Sequence, residues 1–87
     1  MYIILVYDVD SDRVSKVCKY LRQHLTWVQN SVFEGEISTG RLARVKSDLR
    51  KLTQSDYDSV LIYQLESPKW LNKETIGIEK NEMSNLL

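Results

Sequence analysis

Three carboxylates alternate near the start of the chain, at Asp8, Asp10 and Asp12. Carboxylate oxygens are the ligands that hard cations such as Mg²⁺ and Mn²⁺ prefer, so this spacing suggests a metal site. Asp8 ends a run of β-branched and aromatic residues that is typical of a strand. Ligands often bind outside the carboxyl ends of strands in α/β folds. Asp8 is therefore our candidate metal ligand and catalytic residue.

Two known motifs with this spacing fit the chain poorly. An EF-hand loop also begins D-x-D-x-D, but it requires Gly and Glu where this chain has Arg13 and Lys19. The haloacid-dehalogenase phosphatases also end a strand on D-x-D. They continue with Gly and then Thr or Val, where this chain has Ser11 and Asp12, and their sheet is larger. A phosphatase of that kind remains a minor alternative.

Helix capping is the alternative role for Asp10 and Asp12. Asp is a preferred N-cap residue, and acids in a first turn suit the positive end of the helix dipole. Asp8 would then be a lone carboxylate, which rarely holds Mg²⁺. If two-fold symmetry brings Asp8 of two subunits to one cleft, they can share a metal with waters and a phosphodiester. No general base is evident, because His24 is expected to serve as a dipole partner at a helix end.

Length and composition indicate one small folded domain. With 87 residues, of which 43% are hydrophobic, the core is limited, which favours oligomerisation. The 12 basic and 12 acidic residues cancel, so nucleic-acid binding would require a local patch. The single cysteine, Cys18, cannot form an internal disulfide, and the first apolar run is too short for a membrane span or signal peptide. We expect a cytoplasmic protein without membrane association.

Hydrophobic periodicity predicts alternating strands and helices. The first strand is apolar without interruption, which is typical of a central strand buried on both faces. The third segment contains Gly35 and is ambiguous between a hairpin and one bent strand. The predicted elements are a strand over residues 2–9, a helix from 11 or 12 to 25, two short strands around Asn30 and Ser31 or one bent strand over 27–37, a helix from Ser38 or Thr39 to about 53, and an interior strand over 56–66.

This order matches the split βαβ, ferredoxin-like arrangement, an α+β sandwich with two helices on one face of an antiparallel sheet. The opposite sheet face would have no cover, which predicts a homodimer packed sheet to sheet. Residues 1–66 would form the core. Residues 67–87 would form a C-terminal strand and tail, in which residues 75–78 add an extra strand to the edge of the partner's sheet.

Basic side chains concentrate on the two predicted helices. A solvated helix surface is the ordinary role of such residues, but two helices on one face can also present a basic track to a phosphate backbone. The aromatic residues Tyr7, Trp27 and Phe33 are expected to pack in the core or a dimer interface, not to stack on bases. The basic residues of the helices are Arg13, Lys16, Lys19, Arg22, Arg41, Arg44, Lys46, Arg50 and Lys51.

Three sequence blocks closely resemble the CRISPR-associated Cas-two family (Cas2): Tyr7-Asp8-Val9, Asp12-Arg13, and the segment Q-N-S-V-F-E-G from Gln29 to Gly35. The resemblance covers roughly residues 1–66. It implies a ferredoxin-like homodimer that joins the Cas-one integrase (Cas1) in capturing DNA fragments as new spacers. It also implies, for some members, a Mg²⁺-dependent endonuclease on single-stranded RNA or double-stranded DNA, with Asp8 as the ligand. Because other members act without that activity, the alternative is a non-catalytic, DNA-binding structural adaptor.

Overall fold

The computed structural model describes residues 1–80 and contains the predicted order of strands and helices. Residues 81–87, the end of the predicted tail, lie outside the described residues. Neither helix in the described part is long and apolar enough to cross a membrane. The elements are β1 (Tyr2–Asp8), α1 (Ser11–Leu21), β2 (Thr26–Gln29), β3 (Val32–Glu36), α2 (Thr39–Leu52), β4 (Ser59–Leu65) and a short 3₁₀ helix (Pro68–Trp70).

The four strands form one antiparallel sheet in the order β2-β3-β1-β4. This order is that of the ferredoxin-like fold, as the sequence predicted. Strand β1 lies in the interior, and Leu5 on it stands between Phe33 of β3 and Ile62 of β4. The expectation of a second interior strand over residues 56–66 is wrong, because within residues 1–80 β4 pairs only with β1 and forms an edge of the sheet.

Burial alternates along β1, which corrects the prediction that both of its faces are buried. Ile3, Leu5 and Tyr7 are at most 3% exposed, whereas Ile4 and Val6 on the opposite face remain partly exposed. The helices cover only the first of these faces, because side chains of a strand alternate between the two sides of a sheet. The helices contribute Val17, Leu21, Leu42, Val45 and Leu49 to the core.

Helix α1 is shorter than the periodicity predicted. It ends at Leu21, although the apolar spacing continues to Leu25. The Leu25 amide still bonds to the Leu21 carbonyl at 2.9 Å, and its side chain is 7% exposed. The spacing thus identified a buried residue beyond the helix end. Helix α2 begins as predicted, with the Ser38 hydroxyl accepting a hydrogen bond from the Arg41 amide at 3.1 Å.

The segment between the helices is a hairpin of two short strands, which confirms the first of the two alternatives. Asn30 and Ser31 form its turn. Gly35 lies within β3 opposite Ile3 and does not break the strand. A Cβ at Gly35 would lie 3.4 Å from Leu25 Cδ2, an ordinary van der Waals contact, so Gly35 lies beside the chain that follows α1.

The C-terminal segment 71–80 lies against the helix-free face of the sheet, on its β2–β3 side. The Lys73 ammonium forms an ion pair with Glu34, which is 6% exposed, and Lys80 donates to the Asn30 side chain at 2.7 Å. A cavity of about 400 Å³ remains between the segment and the sheet. The segment therefore covers part of this face within its own chain.

The predicted strand at residues 75–78 does not form in the described chain. Gly77 has φ +96°, which interrupts an extended backbone, and no strand of the same chain pairs with these residues. At the opposite edge of the helix-free face, Leu61 and Tyr63 of β4 are 54% and 57% exposed. We call Leu61 and Tyr63 the open sheet surface, because no other segment of residues 1–80 covers this exposed apolar pair.

Candidate functional site

Asp8 is the last residue of β1 and stands opposite Ser59, the first residue of β4. The alternation along β1 puts its side chain on the helix-free face, together with Ile4 and Val6. The side chain is exposed, and none of the salt bridges formed by residues 1–80 involves it. Its carboxylate therefore remains available to a ligand on the same face as the open sheet surface.

Arg13 draws the other two alternating carboxylates away from Asp8. Its guanidinium lies 3.8 Å from Asp10 and 3.4 Å from Asp12. Asp10 occupies the N-cap position of α1, as predicted, but its side chain makes no capping hydrogen bond. Asp12 lies in the first turn of α1, where a negative charge suits the helix dipole. The three alternating acids thus form no common ligand set.

Asp58, which our sequence analysis did not single out, is the most enclosed carboxylate at this end of the sheet. Its side chain is 0% exposed. Arg13 donates to both of its oxygens, from Nε at 2.7 Å and from Nη2 at 2.9 Å. The amides of Asp10 and Gln54 donate at 2.9 and 2.8 Å. Four hydrogen bonds therefore converge on one carboxylate directly before β4.

These contacts keep both members of the pair ionised. The hydrogen bonds from Arg13, with smaller contributions from the two amides, outweigh burial and hold the pKa of Asp58 well below its usual range. The same pairing raises the pKa of Arg13. The pair spans 45 positions of sequence, and an acid just before a strand indicates no more than a turn. No local pattern in the sequence could have identified it.

The donor set near Asp8 is incomplete as a metal site. Residues 1–80 contain no group of three or more His, Cys, Asp or Glu side chains that could hold a metal ion. Mg²⁺ takes six oxygen ligands, usually one or two carboxylates with waters and substrate phosphates. Asp8 supplies one free carboxylate, so its chemistry fits this ion only if a second carboxylate or a phosphate comes from outside the chain.

The basic residues of the helices fall into two groups. Arg13 is bound to Asp58, and Arg22 lies over the Trp27 ring at 5.5 Å from its centroid. These two are engaged within the chain, and the exposed Arg44 forms a distant ion pair with Asp48 at 3.8 Å. The others lie on the helix side of the sheet, whereas Asp8 lies on the opposite face, so one chain does not join the two candidate sites. The exposed members are Lys16, Lys19, Arg41, Arg44, Arg50 and Lys51, and Lys46 is partly exposed.

The surroundings of His24 disfavour its expected role as a dipole partner, and the residue lies away from Asp8. Burial and the positive charge of Arg41 lower its pKa, which disfavours the cation that a dipole partner requires. Its ring packs on Tyr20 with centroids 4.8 Å apart. Helix α1 starts near Asp8 and runs away from it, so His24, which follows the helix, lies toward the other end of the sheet.

The aromatic residues confirm the core packing that the sequence predicted. Tyr7 is 3% exposed and Phe33 is fully buried, and Trp27 packs against the same core. The Tyr7 hydroxyl donates to the Asn30 carbonyl at 3.0 Å and lies 2.7 Å from Cys18 Sγ. Tyr7 and Phe33 are thus enclosed in the core, and Trp27 is partly buried with Arg22 over its ring, as expected for packing and not for base stacking.

A four-stranded antiparallel sheet with two helices on one face, and a free carboxylate at the end of its central strand, defines a small ferredoxin-like protein. Residues 1–73 match the family described as CRISPR associated protein Cas2. A protein of Pyrococcus furiosus named CRISPR-associated endoribonuclease Cas2 is 51% identical over 87 residues, 100% of both chains. The chain belongs to the Cas2 family, which confirms the resemblance.

Solved structures with the same fold support this assignment. One crystal structure of a Cas2 superimposes with a TM-score of 0.84 at 44% identity, covering 92% of this chain and 90% of that chain. A Cas2 of Streptococcus pyogenes gives a TM-score of 0.79 at 28% identity, covering 88% of this chain and 100% of that chain. The ferredoxin-like prediction is therefore confirmed.

Proposed function

We propose that this Cas2 protein is a metal-dependent endonuclease that acts as a homodimer in CRISPR adaptation, with Asp8 of each subunit as the metal ligand. One observation carries the proposal: Asp8 is unpaired in residues 1–80 and shares a sheet face with the exposed Leu61 and Tyr63. Packing this face against a second copy buries the apolar pair and adds a second Asp8 to the site. The endoribonuclease name of the Pyrococcus furiosus relative supports hydrolysis of RNA.

In this dimer, the two Asp8 carboxylates would hold Mg²⁺, or Mn²⁺ in its place, together with waters and a phosphodiester oxygen. The bound ion would polarise the phosphoryl oxygen and lower the pKa of a coordinated water. The protein's own contribution is to hold the carboxylates and orient the backbone of the nucleic acid. Since His24 is directed away from this site, proton transfer falls to solvent, and we expect slow cleavage.

The proposal extends to the partners of the dimer. Ile76 and Ile78 are 99% and 65% exposed in the described chain, so the C-terminal segment gains burial if it docks on the partner subunit. The exposed basic residues of α1 and α2 would contact the phosphates of captured DNA. We place the Cas1 integrase as the protein partner, because family membership links the chain to CRISPR adaptation.

A non-catalytic structural adaptor is the second candidate. The lone carboxylate and the absence of a nearby general base within residues 1–80 favour it. An adaptor needs the dimer and the basic helix side, but it does not need Asp8. The two candidates therefore differ in what happens when only this carboxylate is lost.

The decisive experiment replaces Asp8 by Asn and measures cleavage of single-stranded RNA and double-stranded DNA with Mg²⁺. We expect cleavage to fall by about 10- to 100-fold, since the metal loses its protein ligand. Asp12→Asn is the matched control, because Asp12 is an exposed acid of the same strand-to-helix region, 72% exposed. It should retain activity within about threefold, since its carboxylate lies outside the site. Light scattering should show the same dimer for all three proteins.

Cleavage by Asp8→Asn at the wild-type rate would contradict the nuclease role of Asp8. Spacer integration in the presence of Cas1 then separates the candidates further. The adaptor predicts that Asp8→Asn integrates spacers as the wild type does. Loss of both cleavage and integration in a dimeric variant would indicate that the carboxylate serves the integration reaction as well.

A further inference from the structure

The buried carboxylate of Asp58 lies next to the candidate metal ligand without belonging to it. Asp58 directly precedes Ser59, the residue that pairs with Asp8 across β1 and β4. Its hydrogen bonds reach the loop after Asp8, at the Asp10 amide, and the first turn of α1, at Arg13. A third contact reaches the loop before β4, at the Gln54 amide. Asp58 thus connects three segments at the end of β1: the loop after β1, the first turn of α1 and the loop before β4.

We propose that Asp58 is the positioning residue of the Asp8 site and fixes the end of β1 through the Asp10 amide and the Arg13 guanidinium. This inference rests on the proposed metal-binding role of Asp8. In it, Asp58 fixes the position of the Asp8 carboxylate. Asp58 would not touch the metal or the nucleic acid, because its side chain is 0% exposed and its oxygens are occupied.

The geometry of the network suits this role. Arg13 binds Asp58 in a two-pronged arrangement, at 2.7 and 2.9 Å, and such pairs fix orientation as well as distance. The Asp10 amide lies two residues beyond Asp8, so its bond limits how far the end of β1 can move. A metal shared between two copies is sensitive to this movement, because an error in the position of Asp8 occurs twice.

The competing explanation is that the pair only stabilises the fold. A buried ion pair is weak proof of a gain in stability, but its loss leaves an uncompensated charge and destabilises a protein. The two explanations differ in a measurable way. Positioning predicts that metal affinity depends on Asp58 beyond any loss of stability, whereas a structural role predicts that any equally destabilised variant behaves alike.

The test uses Asp58→Asn in the full-length protein, with two controls. Asp56→Asn makes the same change of charge at an exposed neighbour. Val45→Ala removes buried volume from α2, at a residue that is 0% exposed and outside the network. For each protein, NMR hydrogen exchange reports the Asp10 amide, and isothermal calorimetry reports Mn²⁺ binding without nucleic acid. Thermal unfolding ranks the stability of the variants.

We expect Asp58→Asn to exchange the Asp10 amide at least about tenfold faster and to bind Mn²⁺ about 10- to 100-fold more weakly. Both controls should stay within about twofold of the wild type in Mn²⁺ affinity, whatever their melting temperature. Unchanged exchange at Asp10 in Asp58→Asn overturns the proposal. Mn²⁺ affinity that falls equally in Val45→Ala also overturns it, since stability alone then accounts for the loss.

If Asp58→Asn does not fold, Arg13→Lys is measured in the same way, because lysine keeps the positive charge but cannot form the bidentate pair. Arg13→Lys should exchange the Asp10 amide about threefold faster and bind Mn²⁺ about threefold more weakly than wild type. Wild-type values for both quantities overturn the proposal. If wild type binds no Mn²⁺ without nucleic acid, the two Asp8 carboxylates do not hold the ion by themselves, and exchange at Asp10 alone decides whether Asp58 fixes the end of β1.

Discussion

Of the four acidic residues Asp8, Asp10, Asp12 and Asp58, Asp8 alone forms no salt bridge within residues 1–80. Arg13 is shared by the other three: Asp10, Asp12 and Asp58. The spacing of the sequence identified Asp8 correctly as the end of a strand. It gave no sign of Asp58, because a contact between distant positions leaves no local pattern. The availability of a carboxylate is decided by its neighbours in space.

His24 should make the stability of the folded protein depend on pH. Its pKa is lowered in the folded protein, so the unfolded chain takes up the proton more readily. The contribution to stability is complete above the unfolded pKa of about 6.5 and is lost as the pH falls below it. We expect the melting temperature of the wild type to decrease from pH 7 to pH 5, and His24→Gln to reduce this decrease. Thermal unfolding monitored by circular dichroism measures both.

The acidic network acts in a different pH range, which makes the His24 result specific. The pKa of Asp58 is lowered, so its contribution is lost only below the unfolded value of about 3.9. Between pH 7 and pH 5, Asp58 therefore does not contribute to the change in stability that His24 causes. An identical pH dependence in wild type and His24→Gln would show that the half-buried histidine does not oppose protonation.

The two helices begin in different ways, although the sequence offers a capping residue to each. The Ser38 hydroxyl accepts a bond from the Arg41 amide at the start of α2. Asp10 occupies the equivalent position of α1 without such a bond, and its own amide is directed to Asp58. A capping residue type thus predicts where a helix begins, but the tertiary partners decide which bond is made.

This difference can be measured by substitution with alanine. Ser38→Ala should lower the free energy of unfolding by about 1 kcal/mol, because the Arg41 amide loses its acceptor. Asp10→Ala should cost less than about half of that value, since its exposed side chain makes a distant ion pair with Arg13 and a long hydrogen bond with the Ser11 hydroxyl at 3.5 Å. Urea denaturation at neutral pH gives both values. A larger loss for Asp10→Ala would mean that its carboxylate caps α1 in solution.

Most secondary structure followed from the sequence because its causes are local. The period of apolar residues indicates the helices without reference to the rest of the chain, whereas the sequence left residues 27–37 open between a hairpin and one bent strand. The errors concern tertiary partners. Strand β4 looks interior because Leu61 and Tyr63 add apolar residues to its second face. The strand at residues 75–78 is predicted on the sheet of a partner subunit, and it stays a prediction.

At the scale of the whole molecule, one sheet face is covered by helices and the other only in part. Segment 71–80 lies on the β2–β3 side, and the open sheet surface, Leu61 and Tyr63, remains on β4. A small domain has little apolar surface to leave unused, which supports our proposal that this face contacts a second copy. The proposed active site and the proposed dimer interface are therefore one region.

Leu61→Glu tests this connection. A charge on the open sheet surface should convert the dimer to a folded monomer, because burying an unpaired carboxylate opposes association. Light scattering measures the mass, and circular dichroism checks the fold. Tyr57→Glu is the matched control, since Tyr57 is 73% exposed and precedes β4 outside the sheet. It should remain a dimer.

Cleavage should follow the oligomeric state in the same two variants. A monomeric Leu61→Glu should lose metal-dependent cleavage, because each chain then holds a single Asp8. A Leu61→Glu protein that stays dimeric at the wild-type concentration would exclude the open sheet surface from the interface. A monomer with full activity would show that one Asp8 is sufficient.

Because the ion pair between Lys73 and Glu34 holds segment 71–80 on the helix-free face, this segment competes with a second copy of the chain for that face. Segment 71–80 is tethered and acts at a fixed effective concentration, whereas a second copy acts at its concentration in solution. Dilution therefore favours the segment, and accumulation of the protein favours assembly. An arriving copy that spans the whole face must also replace Lys73 beside Glu34, which is 6% exposed and would otherwise be a buried, uncompensated charge.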